Sequence, residues 1–279
     1  MKIKHLLCFI ALCLFFTPGK AQQLSVMTLR NGATVYIWED KSKPDVFGMI
    51  AFKVGSVDDP EQYTGLAHYL EHVMFKGTQT IDALDWEKEK PIYENIIAKY
   101  DERAALSDPA AREAVDKEIN DLTREAAQYA AGNEFSLLVD HMGGQGLNAS
   151  TGYDQTEYHN SFPPSQLEKW LEIYSERLID PVFRGFQTEL EAVYEEYKMY
   201  NDDRGSRMRE FIYEQAFGDH PYARPIIGLP EHLKNPQLSK LIDFYNTWYG
   251  PQNMSIILVG NIDAKEAIPM IRDKFERVP

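Results

Sequence analysis

Residues 64–78 read Thr64-Gly-Leu-Ala-His68-Tyr-Leu-Glu71-His72-Val-Met-Phe-Lys-Gly77-Thr78. From about residue 64 to 75 this stretch suits a helix, because Leu66, Leu70, Val73 and Met74 form one apolar face at helical spacing. At about 100° per residue, His72 lies about 40° from His68 on one side, and Glu71 lies about 60° away on the other. Two imidazoles one turn apart can both reach one metal ion, with a carboxylate beside them to take a proton from water. Such a set suits a catalytic zinc with an open coordination position. The same residues could also be hydrogen-bonded packing histidines, the less favoured reading, and a third ligand would decide between the two.

Candidates for that ligand stand in Glu189-Leu-Glu191-Ala-Val-Tyr-Glu195-Glu196, inside a second predicted helix over residues 187–200. Seven residues separate Glu189 from Glu196, so both fall on one helical face two turns apart. Ala192 and Val193 give the helix a partly apolar side. Four acidic residues in eight positions also describe an ordinary solvated face.

Around these two helices the pattern is mixed. Residues 24–38 read as a β-hairpin in which Asn31-Gly32 supplies the positive φ values of a two-residue turn. A third strand is expected over about 46–54, a strand pair across 148–162 and another strand at 255–260. Residues 85–131 are charged, alanine-rich and free of glycine. There Ile92, Ile96, Ile97 and Tyr100, then Val115, Ile119, Leu122 and Ala126, keep helical spacing on either side of Ser107-Asp108-Pro109. This predicts a helical hairpin packed on the outside of the domain. Further helices are expected near 165–178, 206–217, 236–248 and 264–275. The fold class is α+β: a largely antiparallel sheet flanked by helices.

Composition sets the outer bounds. The chain has 279 residues, 44% hydrophobic and 26% charged, with a formal charge of −14. That acidic surplus argues against nucleic acid as a partner. Lys2 and Lys4, the apolar run 6–16, and Gly19 and Ala21 describe a cleavable signal peptide over residues 1–21, too short for a membrane span. The protein is therefore expected to be exported, to a periplasm or beyond, with residues 22–279 as its mature domain. Both cysteines, Cys8 and Cys13, lie in that leader, so disulfides, cysteine–zinc sites and a cysteine nucleophile are excluded from the mature chain. His141, His159, His220 and His232 lack ligand-like spacing and read as loop or packing residues.

With these residues in view, the sequence resembles the pitrilysin and insulin-degrading enzyme family of zinc metallopeptidases, the inverzincins, which includes mitochondrial processing peptidase. The resemblance is carried by His68-x-x-Glu71-His72 and its surroundings, by Gly146-Leu-Asn148-Ala149-Ser-Thr151, by Glu189 to Glu196, by His220-Pro221-Tyr222 and by Val259-Gly260-Asn261. It implies that residues 22–279 are the family's N-terminal zinc-binding domain, holding one Zn²⁺ per chain on His68, His72 and Glu196. It implies that Glu71 is the general base and that Glu189 is a second carboxylate supporting the site. Asn148 and Ala149 then fall on an edge strand that pairs with the backbone of a peptide substrate.

The gap between His72 and Glu196 is about 45 residues longer than usual for the family, and the hairpin at 85–131 accounts for it. Relatives close two multi-domain halves around the substrate, so further C-terminal domains or a partner subunit are expected. The implied activity is hydrolysis of exported or unfolded peptides. The alternative is a non-catalytic peptide-binding or regulatory subunit, or a catalytically incomplete fragment, of the same family.

Overall fold

The structure is a computed structural model that describes residues 23–279. The expected signal peptide lies outside the described residues. Six strands form one sheet: β1 (Gln23–Thr28), β2 (Thr34–Glu39), β3 (Val46–Phe52), β4 (Gln145–Thr151), β5 (Thr156–Phe162) and β6 (Met254–Gly260). Their spatial order is β1-β2-β6-β3-β5-β4, so β1 and β4 are the edges. All pairings are antiparallel except β2 with β6. The α+β reading with a largely antiparallel sheet is therefore what the chain adopts.

Alternation decides which face of the sheet is covered. Val35, Ile37, Ile50, Phe52, Tyr158, Phe162, Ile256 and Leu258 point to one side and are buried. On the other side Leu24 pairs with Trp38 and Val26 with Tyr36, and all four are exposed. The helices on the covered side are α1 (Leu66–Val73), α2 (Trp86–Ala105), α3 (Pro109–Ala126), α4 (Glu134–His141), α5 (Leu167–Glu176), α6 (Phe186–Asp202), α7 (Arg204–Phe217), α8 (Pro230–Leu233), α9 (Leu238–Trp248) and α10 (Ala264–Phe275). The hairpin expected at 85–131 is α2 and α3. Asp108 caps α3 by accepting from the Ala111 amide at 3.1 Å, with Pro109 at the first helical position.

Two local expectations differ from the structure. Asn31-Gly32 does not form a two-residue turn. The Gly32 amide donates to the Leu29 carbonyl at 3.0 Å and the Leu29 amide to Ala33 at 2.8 Å, so the loop holds three residues and only Gly32, at φ 99°, is left-handed. The Asn31 side chain is occupied elsewhere, donating to the Phe275 carbonyl at 2.8 Å and the Val278 carbonyl at 3.1 Å. Helix α4 has no counterpart in the sequence reading, although Phe135, Leu138, Val139 and Met142 keep helical spacing. Its eight residues sit between glycine-bearing turns, too short a window for the periodicity to stand out.

The sheet and helix layers meet closely at Gly48 on β3. A Cβ there would lie 2.5 Å from Trp170 Cζ2 and 2.9 Å from Phe162 Cε1. Trp170 has no room to retreat, because its indole N–H and the Tyr174 hydroxyl both donate to Asn160 Oδ1, at 2.8 and 2.7 Å. Gly48→Ala is expected to destabilise the fold by about 1–3 kcal/mol through overpacking. Urea unfolding checks this as a lowered midpoint with an unchanged slope.

Candidate metal centre

Helix α1 carries the motif, and its first turn is fixed from outside the helix. Buried Asp59 accepts from the Gly65 amide at 2.7 Å and the Ala67 amide at 2.9 Å, satisfying donors that a helix start leaves free. Gly65 has φ 90°, and a Cβ on it would meet the Ile227 carbonyl oxygen at 2.6 Å, so the entry turn tolerates only glycine. Helix α6 begins at left-handed Gly185 (φ 62°) and is tied to α1 by the Tyr69 hydroxyl, which donates to the Phe186 carbonyl.

These restraints bring three expected ligands together. His68 Nε2 and His72 Nε2 each lie 3.6 Å from Glu196 Oε2. One ligand atom from each of the three residues falls within 4.8 Å of the others. Bonds of about 2.0–2.1 Å in a tetrahedron place neighbouring ligand atoms roughly 3.4 Å apart, so the set fits zinc. Burial, with His72 beside it, pulls His68 down to about 3. Its imidazole is therefore neutral, the form that binds a metal.

Glu189 faces the other nitrogen of His72, with Oε2 at 3.5 Å from Nδ1. Burial alone would pull His72 down, yet the carboxylates of Glu189, Glu196 and Glu71 raise it above its ordinary value. Glu189 is held low: burial opposes ionisation, but His72 and Lys76 outweigh it. Glu71 is buried on the same helix, and burial raises its carboxyl above the usual range.

The expected site residues share one cavity of about 810 Å³, lined by His68, Glu71, His72, Glu189 and Glu196 together with Asn148 and Ala149. The last two lie on β4, whose outer edge is unpaired in the sheet, with Asn148 opposite His159 and Ala149 opposite Tyr158 on β5. Three of the remaining histidines have local structural partners. His232 Nδ1 accepts from the Thr64 amide at 3.1 Å, His220 Nδ1 from the Tyr222 amide at 3.2 Å, and the His159 ring packs on Phe47.

Sequence reasoning missed three residues around the centre. Thr151 donates from Oγ1 to Glu71 Oε2 at 2.6 Å, and Lys76 Nζ lies 2.5 Å from Glu189 Oε1. Buried Arg177 donates to the Met74 carbonyl at 3.0 Å, just past the end of α1, and its guanidinium lies against the rings of Phe75, Phe135 and Tyr158. Thr151 and Lys76 both stand inside quoted motif blocks, two positions after Ala149 and four after His72. Neither has a periodicity of its own to betray it. Arg177 interrupts an apolar neighbourhood, a signal legible only once the neighbours are known.

Residues 34–90 and 120–229 match the family model described as insulinase, peptidase family M16, and residues 237–279 match the one described as the M16 inactive domain. The chain belongs to the insulinase family, M16. The unmatched stretch 91–119 falls within the hairpin of α2 and α3. The probable zinc protease PqqL of Escherichia coli is 25% identical over 270 residues, covering 92% of this chain and 23% of that one. The solved first half of periplasmic PqqL superposes with a TM-score of 0.69 at 25% identity, over 92% of this chain and 47% of that one. A Helicobacter pylori protease shares the fold with a TM-score of 0.71 at 22% identity, over 92% and 51%. The chain spans between about a quarter and a half of the curated relatives it matches.

The anchor of α1 carries a pH signature. Burial pushes the Asp59 carboxyl from 3.8 up to about 7, although the Ala67 and Gly65 amides and the Arg224 charge pull it down; Asp58 adds to the rise. Between those values the folded chain keeps a proton that the unfolded chain has lost. Stability owed to Asp59 is thus full below about pH 4 and falls as pH rises toward 7, by roughly 1.4 kcal/mol per unit. Asp59→Asn cannot titrate, so the pH slope of its unfolding free energy, from urea titrations across this window, is expected to be shallower than that of the wild type. Identical slopes would count against the assignment.

Proposed function

We propose that this chain is the zinc-binding domain of an exported metallopeptidase that hydrolyses peptide bonds in unfolded peptides. The observation that carries the reading is the convergence of His68, His72 and Glu196 on one point, with Glu71 beside it and the free edge of β4 on the same cavity. A zinc ion on those three residues would supply a Lewis acid that polarises the scissile carbonyl and acidifies water in the open position.

The chain's own groups do the rest. A peptide lying along β4 pairs its backbone with the strand's unpaired edge near Asn148 and Ala149, which orients the scissile bond without reading its side chains. Glu71 takes the proton of the attacking water as the new carbon–oxygen bond forms. It returns that proton to the departing amine as the carbon–nitrogen bond breaks. Thr151, donating to Glu71 Oε2, leaves Oε1 to face the water. Glu189 Oε2, 3.5 Å from His72 Nδ1, favours a proton on that nitrogen and keeps the ring aligned.

Export is supported by the leader-like residues 1–21 and by the periplasmic relative in Escherichia coli. Among the described residues no helix is long and apolar enough to cross a membrane. Because its relatives are two to four times longer, the remaining wall of the chamber is assigned to further domains or to a partner subunit.

The test is Glu71→Gln. The variant is expected to retain one equivalent of zinc by elemental analysis while losing at least about a hundredfold in the cleavage of a quenched peptide. Chelation is expected to abolish wild-type cleavage, and added zinc to restore it. Full activity in Glu71→Gln would remove Glu71 as the base.

A further inference from the structure

We infer that Lys76 is a positioning residue of the metal centre: its ammonium holds Glu189 on His72, and the helical hairpin holds Lys76 in place. The inference rests on the zinc-site reading and extends it to residues outside the motif.

The contacts form one continuous chain. Lys76 Nζ lies 2.5 Å from Glu189 Oε1, and Glu189 Oε2 lies 3.5 Å from His72 Nδ1. The opposite nitrogen of His72 faces Glu196. A carboxylate that must aim one oxygen at an imidazole has a free torsion unless its other oxygen is tied. Lys76 ties it, in a setting where the two side chains are 27% and 16% exposed, so water competes only in part.

Lys76 is itself fixed from the far side. Its carbonyl accepts from Arg184 Nη1 at 3.2 Å, and the Ile81 carbonyl accepts from the same nitrogen at 3.4 Å. Arg184 is clamped by two further bonds, Nε to Glu89 Oε1 at 2.6 Å and Nη2 to Glu89 Oε2 at 2.8 Å. Glu89 is buried in the first turn of α2, at the root of the hairpin. A two-pronged arginine–carboxylate pair leaves little angular freedom. The next residue, Gly77, has φ 92° and no space for a Cβ, which would meet the Ile81 carbonyl at 2.5 Å and Arg184 Nη1 at 3.0 Å. The backbone that presents Lys76 is thus held on both sides.

A role confined to packing would leave metal affinity untouched, so the readout is zinc binding. Dissociation constants for zinc are measured by competition with a chromophoric chelator on wild type, Lys76→Met, Glu189→Gln and the double variant, with circular dichroism of the zinc-free proteins confirming the fold. Each single change is expected to weaken zinc by about tenfold, and the double variant to be no weaker than Glu189→Gln alone. Lys76→Arg, which keeps the charge, is expected to retain most of the affinity. Wild-type zinc affinity in Lys76→Met, or losses that multiply in the double variant, would overturn the inference. Zinc bound tightly by the wild type and weakened in Lys76→Met supports the role of Lys76 whether or not the chain alone turns over peptide. A wild type that takes up no zinc removes both that role and the zinc-site reading.

Discussion

Three candidate ligand atoms from two helices lie within 4.8 Å of one another although more than a hundred residues separate α1 from α6. Everything around the centre can be understood from how that distance is kept. Neither helix could hold it alone, because α1 has only two turns and isolated helices of that length are unstable in water. The start of α1 is anchored by Asp59 and by the close backbone contact of Gly65 with Gly228. Its middle is tied to α6 through Tyr69, and its end is held by Arg177 at the Met74 carbonyl. The motif is short, and the scaffold that aligns it is drawn from the whole domain.

This explains what could be read from the residues alone. The pentapeptide His68 to His72 carries its own geometry, since helical periodicity places all three side chains on one face before any partner is known. Glu189 and Glu196 were legible as a pair two turns apart, but their neighbours Glu191 and Glu195 have the same chemistry. Only the family resemblance singled out Glu196, and only the fold brings its oxygen to the two histidines. Most strands and helices announced themselves by period, and the hairpin by its break at Ser107-Asp108-Pro109. The turn at Asn31-Gly32 misled because long-range hydrogen bonds to Phe275 and Val278 overrode a local preference. Thr151, Lys76 and Arg177 were silent for a related reason. Each acts through one contact with a distant residue, and single contacts leave no period in a sequence.

The sheet also separates two kinds of edge and face. At one end β4 has an edge left unpaired in the sheet beside the candidate metal centre, with its main-chain donors and acceptors open on that side. Its register is irregular between Gln145 and Asn148, a bulge that turns the strand locally next to the cavity. At the other end β1 and β2 expose Leu24, Val26, Tyr36 and Trp38 on the face away from the helices. Such a contiguous apolar strip is costly to leave in water. The sheet thus presents two surfaces of different chemistry, one an open main-chain edge, the other apolar.

The hairpin shows how an insertion can be large without disturbing the domain that receives it. It enters and leaves at neighbouring points: Ala83 bridges Ala130, and the Leu84 amide donates to the Tyr129 carbonyl at 2.8 Å. Chain added between two fixed points that already touch carries little closure cost. Within the insertion, Arg103 meets Asp116 and Lys99 meets Glu118, while Ser239 on α9 donates to Asp101 at 2.6 Å. Those outer contacts are exposed or half-exposed and contribute little to stability. The exception is Glu89, buried against Arg184 at the root, where removing either partner would strand a charge away from water. Through Arg184 that root also meets the carbonyl of Lys76, whose ammonium lies against Glu189.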